Sequence, residues 1–197
     1  MHSRFGTLRI QGWPIVNLRK SVAQIFFVLI LFFGILPPAH SGKAPVLPEP
    51  VYRLRLFHTH TNERINVVYR VGDNYIPSAV DQLDEFLRDH RTGDVIELDR
   101  RVFDLLHDLT AAAGRPEAEI DIVCGYRTPW SNNFLRTTTV GVAQHSLHMQ
   151  GEAIDIRMPG VPTARLRDVA LTLHRGGVGY YPESRFVHVD VGRVRRW

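Results

Sequence analysis

The chain has 197 residues, 24 Lys and Arg against 20 Asp and Glu, and one cysteine. Four of the basic residues and none of the acidic ones fall within residues 1–41, so the remainder carries 20 of each and is neutral. The basic excess therefore belongs to the N-terminal stretch and argues against a nucleic-acid surface. A single cysteine excludes an internal disulfide, and a domain of about 150 residues buries enough surface to fold without one.

Residues 1–41 read as a targeting segment. Arg4, Arg9, Arg19 and Lys20 precede an apolar run over residues 25–36, too short for a comfortable membrane span. Pro37 and Pro38 stop the run, and Ala39-His40-Ser41 puts small residues at the two positions a signal peptidase reads. The pattern predicts either a signal peptide cleaved after Ser41 or a retained N-terminal anchor. Both place the rest of the chain in the periplasm or cell envelope. Residues 42–50, with Pro45, Pro48 and Pro50, predict a linker, and residues 51–197 one domain.

Alternation over residues 51–69, broken at Thr61-Asn62, predicts a hairpin. Residues 71–75 read as a turn. Pro77-Ser78 opens a helix with Val80, Leu83, Phe86 and Leu87 on one face, ended by His90-Arg91-Thr92-Gly93. A second helix starts near Asp99 and buries Val102, Phe103, Leu105, Leu106 and Leu109. Residues 119–124 predict a strand, with Cys124 a buried strand residue rather than a nucleophile. A turn follows over residues 125–129. The polar tract 132–139 leaves its local structure open. A strand is expected over 153–158, a third helix over 163–173, a glycine loop over 176–179 and a last strand over 187–191. The order of elements defines an α+β class.

Two segments carry chemistry. In one, Ala153, Asp155 and Arg157 share a strand face against Ile154, Ile156 and Met158; in the other, Phe186, His188 and Asp190 oppose Val187, Val189 and Val191. Each strand needs a core on its apolar side, so the polar sides line a cleft. Gly151 lets the chain reverse between His148 and Asp155. If the strands are neighbours, His148, Asp155 and His188 converge, and two imidazoles with one carboxylate suit a zinc ion that keeps an open position. Pattern alone also allows each histidine a hydrogen-bonded core role. His58, His60, His90, His107, His145 and His174 read as surface or loop residues.

Three stretches resemble the zinc D-alanyl-D-alanine peptidase superfamily, which includes VanX-type dipeptidases and shares its fold with the hedgehog signalling domain. They are Gly125-Tyr126-Arg127-Thr128 with Asn132, residues 146–157 (Ser-x-His-x-x-Gly-x-Ala-x-Asp), and residues 176–190 with Tyr180, Tyr181 and His188. The resemblance is greatest to the YcbK-like, murein endopeptidase K branch. It extends upstream through residues 56–61 and 89–93 and covers most of residues 51–197. It implies a small central antiparallel sheet with flanking helices, and zinc held by His148, Asp155 and His188. It implies Arg127 on the substrate carbonyl and Ser146 beside the metal. Asn132, Tyr180 and Tyr181 are further expected substrate contacts. The implied reaction is zinc-dependent hydrolysis of peptidoglycan stems or cross-links, with endopeptidase, carboxypeptidase and dipeptidase action all open. One position departs from the pattern. VanX-like and many endolysin relatives carry an acidic base three residues before the last histidine, where this chain has Arg185. Asp190 is then either the base or a group that orients His188, and Glu183 is the next candidate base. The same departure motivates a rival reading, a non-catalytic peptidoglycan-binding module.

Overall fold

In a computed structural model, which describes residues 48–139 and 141–197, the alternation of the first segment becomes a hairpin. The expected leader, and the linker up to residue 47, lie outside the described residues. β1 (Val51–His58) and β2 (Arg64–Val71) pair antiparallel. Leu54, Leu56 and Tyr69 enter the core, while Arg53, Arg55 and Asn66 stay in solvent. β3 (Asn74–Tyr75) folds back onto β2. His58 is not a surface residue. It is buried at the end of β1, and its Nδ1 accepts the backbone N–H groups of His60 and Thr61. Burial lowers its pKa to about 4, so it stays neutral and braces the hairpin turn.

α1 (Pro77–Phe86) begins with proline in its first turn, where the missing N–H costs nothing. It stops before the expected His90–Gly93 terminus. There the chain forms its own turn around Asp89, whose carboxylate accepts the N–H of Arg91 and whose carbonyl accepts that of Gly93. Such local bonds compete with helix. α2 (Arg100–Ala112) is capped by the Asp99 carboxylate, which accepts the Arg101 N–H. Its predicted stripe, Val102 to Leu109, is buried.

β4 (Ile120–Cys124) leads into α3 (Pro129–Thr138), a helix over the tract whose local structure the sequence leaves open. Thr128 caps it and Pro129 starts it, but only Ser131 and Asn132 are buried, so no apolar stripe announces it. A single 3-10 turn (Leu147–Gln150), β5 (Ala153–Arg157), α4 (Thr163–Leu173), β6 (Gly177–Tyr181), β7 (Phe186–Asp190) and β8 (Arg195–Arg196) complete the chain. The expected glycine loop is thus mostly strand. A Cβ at Gly179 would sit 2.6 Å from the Trp197 ring, so this glycine admits a neighbouring ring rather than supplying flexibility.

All eight strands form one sheet, in the order β3-β2-β1-β4-β5-β7-β6-β8. The α+β class holds, but the sheet is wider than expected and mixed, because β1·β4 and β6·β8 run parallel. α1, α2 and α4 bury Leu83, Leu106 and Leu166 in one core with Ile122, Ile156 and Val187.

Where α1 ends, the Leu87 carbonyl accepts the Tyr126 N–H at 2.8 Å, and a Cβ on Gly125 would lie only 2.4 Å from that oxygen. Backbone cannot give way there as a side chain could. Gly125→Ala is expected to cost about 3 kcal/mol of stability, read as a lower midpoint in chemical denaturation.

Candidate active site

The sheet brings the polar faces of three strands together. Asp155 on β5 pairs directly with His188 on β7, and Cys124 on β4 pairs with Asp155 from the other side. His148 arrives from the 3-10 turn that precedes β5. Asp155 Oδ1 lies 2.9 Å from His188 Nδ1 and 3.2 Å from His148 Nε2, and the two ring nitrogens are 3.1 Å apart. The three residues predicted as ligands therefore meet at one point, and all three are buried.

The second nitrogen of each ring shows what this point needs. His148 Nδ1 lies 2.8 Å from the Gly125 carbonyl, and His188 Nε2 lies 3.1 Å from Asp190 Oδ2. A carbonyl and a carboxylate only accept, so those nitrogens carry the protons of the neutral rings. The nitrogens facing the centre then hold lone pairs, as does Asp155. Three acceptors at contact distance repel unless a cation or a shared proton lies between them. Burial opposes charge on His148, but Asp155 and Cys124 outweigh it and push the imidazole above its usual range. Burial likewise works against the Asp155 carboxylate, and the two histidines hold it well below the usual carboxylate range. An ion bound at about 2.0–2.1 Å with tetrahedral angles spaces its donors by about 3.3 Å, close to the observed edges. The residues present fit a metal ion with one position left for a non-protein ligand.

Cys124 forms an overlapping set with His148 and Asp155, their donor atoms all within 4.8 Å. The set with His188 is tighter and has both rings fixed by outer partners, whereas Cys124 Sγ accepts from Arg127 at 3.4 Å. A thiolate there would also close the open position. Period-two alternation puts Cys124 on the apolar face with Ile120 and Ile122. A bulge between Ile122 and Cys124 turns it to the polar face, as bulges beside active sites do.

Around this centre lies a cleft of about 260 Å³, lined by Arg127, His145, Ser146, Tyr181, Phe186 and Trp197 among others. Arg127 is buried, 3.6 Å from Asp155 Oδ2, and its Nε has no hydrogen-bond partner among the described residues. Asp89 holds the loop that carries Arg127, accepting both the N–H and the hydroxyl of Thr128 at 2.8 Å. Tyr181 stacks on Phe186 and its hydroxyl accepts from Trp197 Nε1 at 2.8 Å, giving one aromatic wall.

Several predicted site residues stand elsewhere. Asn132 is buried behind Arg127, accepting from its guanidinium and donating to the Ala143 carbonyl. Tyr180 lies off the cleft, with the Arg167 guanidinium 4.6 Å over its ring. Glu183 is exposed and outside the cleft lining. Asp190 is fully buried and its oxygens are committed: they accept the N–H groups of Gly177 and Gly192, both terminal nitrogens of Arg195, and His188. Burial opposes its charge, but His188 and Arg195 hold it well below the usual carboxylate range. Of its two open roles, this geometry fits the orienting one. Sequence reasoning misses His145, Phe186, Arg195 and Trp197 in and around the cleft. Phe186 shares a strand face with His188, which is the available signal; the others follow from no local pattern.

A buried donor triangle thus lies at the floor of an aromatic-walled cleft on a mixed sheet, an arrangement that could hold a metal ion. Residues 48–197 match the family described as peptidoglycan L,D-endopeptidase MepK, and the chain belongs to that family. It is 39% identical over 170 residues to the probable peptidoglycan L,D-endopeptidase MepK of Haemophilus influenzae, covering 86% of this chain and 90% of that protein. It is 36% identical over 163 residues to the peptidoglycan L,D-endopeptidase MepK of Escherichia coli K12, covering 78% of this chain and 89% of the relative.

If Asp190 orients His188, Asp190→Asn should weaken metal binding about 10- to 100-fold, measured by chelator competition. Unchanged affinity with lost turnover would return Asp190 to the role of base. Cys124→Ser should leave the metal stoichiometry as it is, which elemental analysis checks; loss of the ion would make the cysteine set the resident one.

Proposed function

We propose that this chain is an exported zinc peptidase that hydrolyses peptide cross-links in peptidoglycan, at the L,D bonds named for its relatives. The observation that carries this reading is the triangle of lone pairs from His148, Asp155 and His188, with edges of 2.9–3.2 Å, opening on a cleft. Family membership supports the substrate class. The basic and apolar leader supports a location in the envelope.

When bound, zinc supplies a Lewis acid and lowers the pKa of a water to about 7. The other tasks fall to side chains. His148, Asp155 and His188 hold the ion, while the Gly125 carbonyl and Asp190 keep the two rings turned toward it. Arg127, braced by Asn132, meets the substrate carbonyl oxygen as negative charge develops. Its buried Nε, without a hydrogen-bond partner among the described residues, supports that assignment. Ser146 contacts the substrate beside the metal. Tyr181, Phe186 and Trp197 pack along the peptide and exclude water from its flank.

The committed oxygens of Asp190 and the position of Glu183 outside the cleft lining favour another proton acceptor. His145 lines the cleft, is exposed, and is the remaining imidazole there among the described residues. We assign it to take the proton of the attacking water and deliver it to the leaving amine. The rival reading, a binding module that retains the fold, draws on Arg185 at the usual acid position; it predicts metal uptake without cleavage.

Incubation with purified cross-linked peptidoglycan should release fragments that vanish with chelator and return with zinc. His188→Ala should release none; a fragment pattern equal to wild type would end the peptidase reading. Arg127→Ala should lower kcat about 10²- to 10³-fold with zinc content unchanged. His145→Ala should lower kcat about 10²-fold or more with zinc content unchanged. Turnover near the wild-type rate would move the base elsewhere.

A further inference from the structure

α3 has two sides with different partners. Ser131 and Asn132 turn inward, and Asn132 braces Arg127. Trp130 and Phe134 lie on the other side, 62% and 46% exposed. Their rings run nearly parallel, 9° between planes, with centroids 5.8 Å apart. A spacing of four puts them on one stripe of the helix, and Thr137 and Thr138 continue it. A depression lined by Arg136, Thr137, Thr138, Thr139, Gly141 and Val142 begins where that stripe ends. Thr139, Gly141 and Val142 also line the cleft that holds the donor triangle. The aromatic pair, the depression and the cleft thus form one track.

Folding leaves these two rings in water, which marks a binding surface when the patch joins a site. Together they present roughly 250 Å², well short of the roughly 800 Å² per partner of a stable protein–protein contact. Arg136 is the one charged side chain of α3, too little for a surface that docks on anionic lipid. The dimensions and chemistry fit a sugar. A pyranose has a flat face of C–H bonds that packs on the electron-rich face of an aromatic ring. Its rim of hydroxyl and amide groups asks for hydrogen-bonding partners such as Thr137, Thr138 and Arg136.

We propose that Trp130 and Phe134 form a sugar-binding subsite, which holds the amino-sugar chain of the polymer while its attached peptide reaches the donor cleft. This rests on the reading of the substrate as peptidoglycan. It gives the protein a preference for polymer over free peptide that the metal centre alone does not supply.

The test uses the full chain and two double variants, Trp130→Ala with Phe134→Ala and Trp130→Tyr with Phe134→Tyr. Binding is read by co-sedimentation with insoluble peptidoglycan. Turnover is read on that polymer and on a cross-linked peptide freed of sugar. The alanine pair should lose about tenfold in polymer affinity and in kcat/KM on polymer, with the sugar-free peptide cleaved at the wild-type rate. The tyrosine pair should behave as wild type. Equal losses on both substrates, or undiminished polymer binding by the alanine pair, would overturn the proposal. So would intact polymer binding alongside lost binding to anionic lipid vesicles or lost self-association, which would assign the patch to a membrane or a second copy. Titration of the unsubstituted chain with an N-acetylglucosamine oligomer probes the same surface without any substitution. Saturable shifts of the Trp130 and Phe134 ring resonances support the subsite, and their absence sinks it. If the wild type binds polymer through these rings but cleaves neither substrate, the subsite stands and the peptidase reading falls.

Discussion

Three acceptor atoms held at contact distance need positive charge between them, and the backbone is what holds them there. β5 and β7 pair in a register that sets Asp155 opposite His188. A slip of β7 by one residue would send His188 to the face opposite Asp155. The register is secured by that other face, where Ile154, Ile156, Val187 and Val189 are buried. Each such side chain contributes roughly 1.5–3 kcal/mol when fully buried. Hydrophobic packing on one side of the sheet thereby offsets the crowding of polar atoms on the other.

A ring of outer contacts keeps the polar atoms from relaxing apart. The Gly125 carbonyl turns His148, and Asp190 turns His188. Asp190 is in turn clamped by Arg195 through both carboxylate oxygens, at 3.0 and 2.7 Å, a forked and charge-assisted arrangement that is directional. Asp89 and the Leu87 carbonyl fasten the loop that carries Arg127. Asn132 ties Arg127 to the chain at Ala143, on the rim of the cleft. Groups from β7, the α1–α2 connection, α3 and the loop after it all converge on one ion-sized point. Rigidity of this kind is what a metal centre asks of its scaffold.

Legibility in the sequence follows the range of the signal. The hairpin, α1, α2 and α4 are readable because periodic apolar residues are a local record of burial. α3 is not, since its inward residues are Ser131 and Asn132 and its outward ones include Trp130 and Phe134. β6 reads as a loop because its glycines suggest freedom, whereas Gly179 makes room for Trp197. His58 reads as a surface residue because no pattern records a side chain that braces its own turn.

Which face of its strand Asp155 and His188 each occupy was determined by the sequence alone, whereas their meeting depends on β5 pairing with β7. Period-two alternation around Asp155 and His188, with a reversal at Gly151, already assigns each side chain to a face, and that depends only on neighbours in the chain. The roles around them were decided by tertiary structure. Whether Asp190 faces the cleft or a clamp of Arg195 and two N–H groups depends on where β6 and β8 lie. Whether Cys124 faces the core or the donors depends on a bulge against β5. Which residues wall the cleft depends on Trp197 folding back onto β6 and on the loop after α3. These are pairings between distant segments, and no local period encodes them.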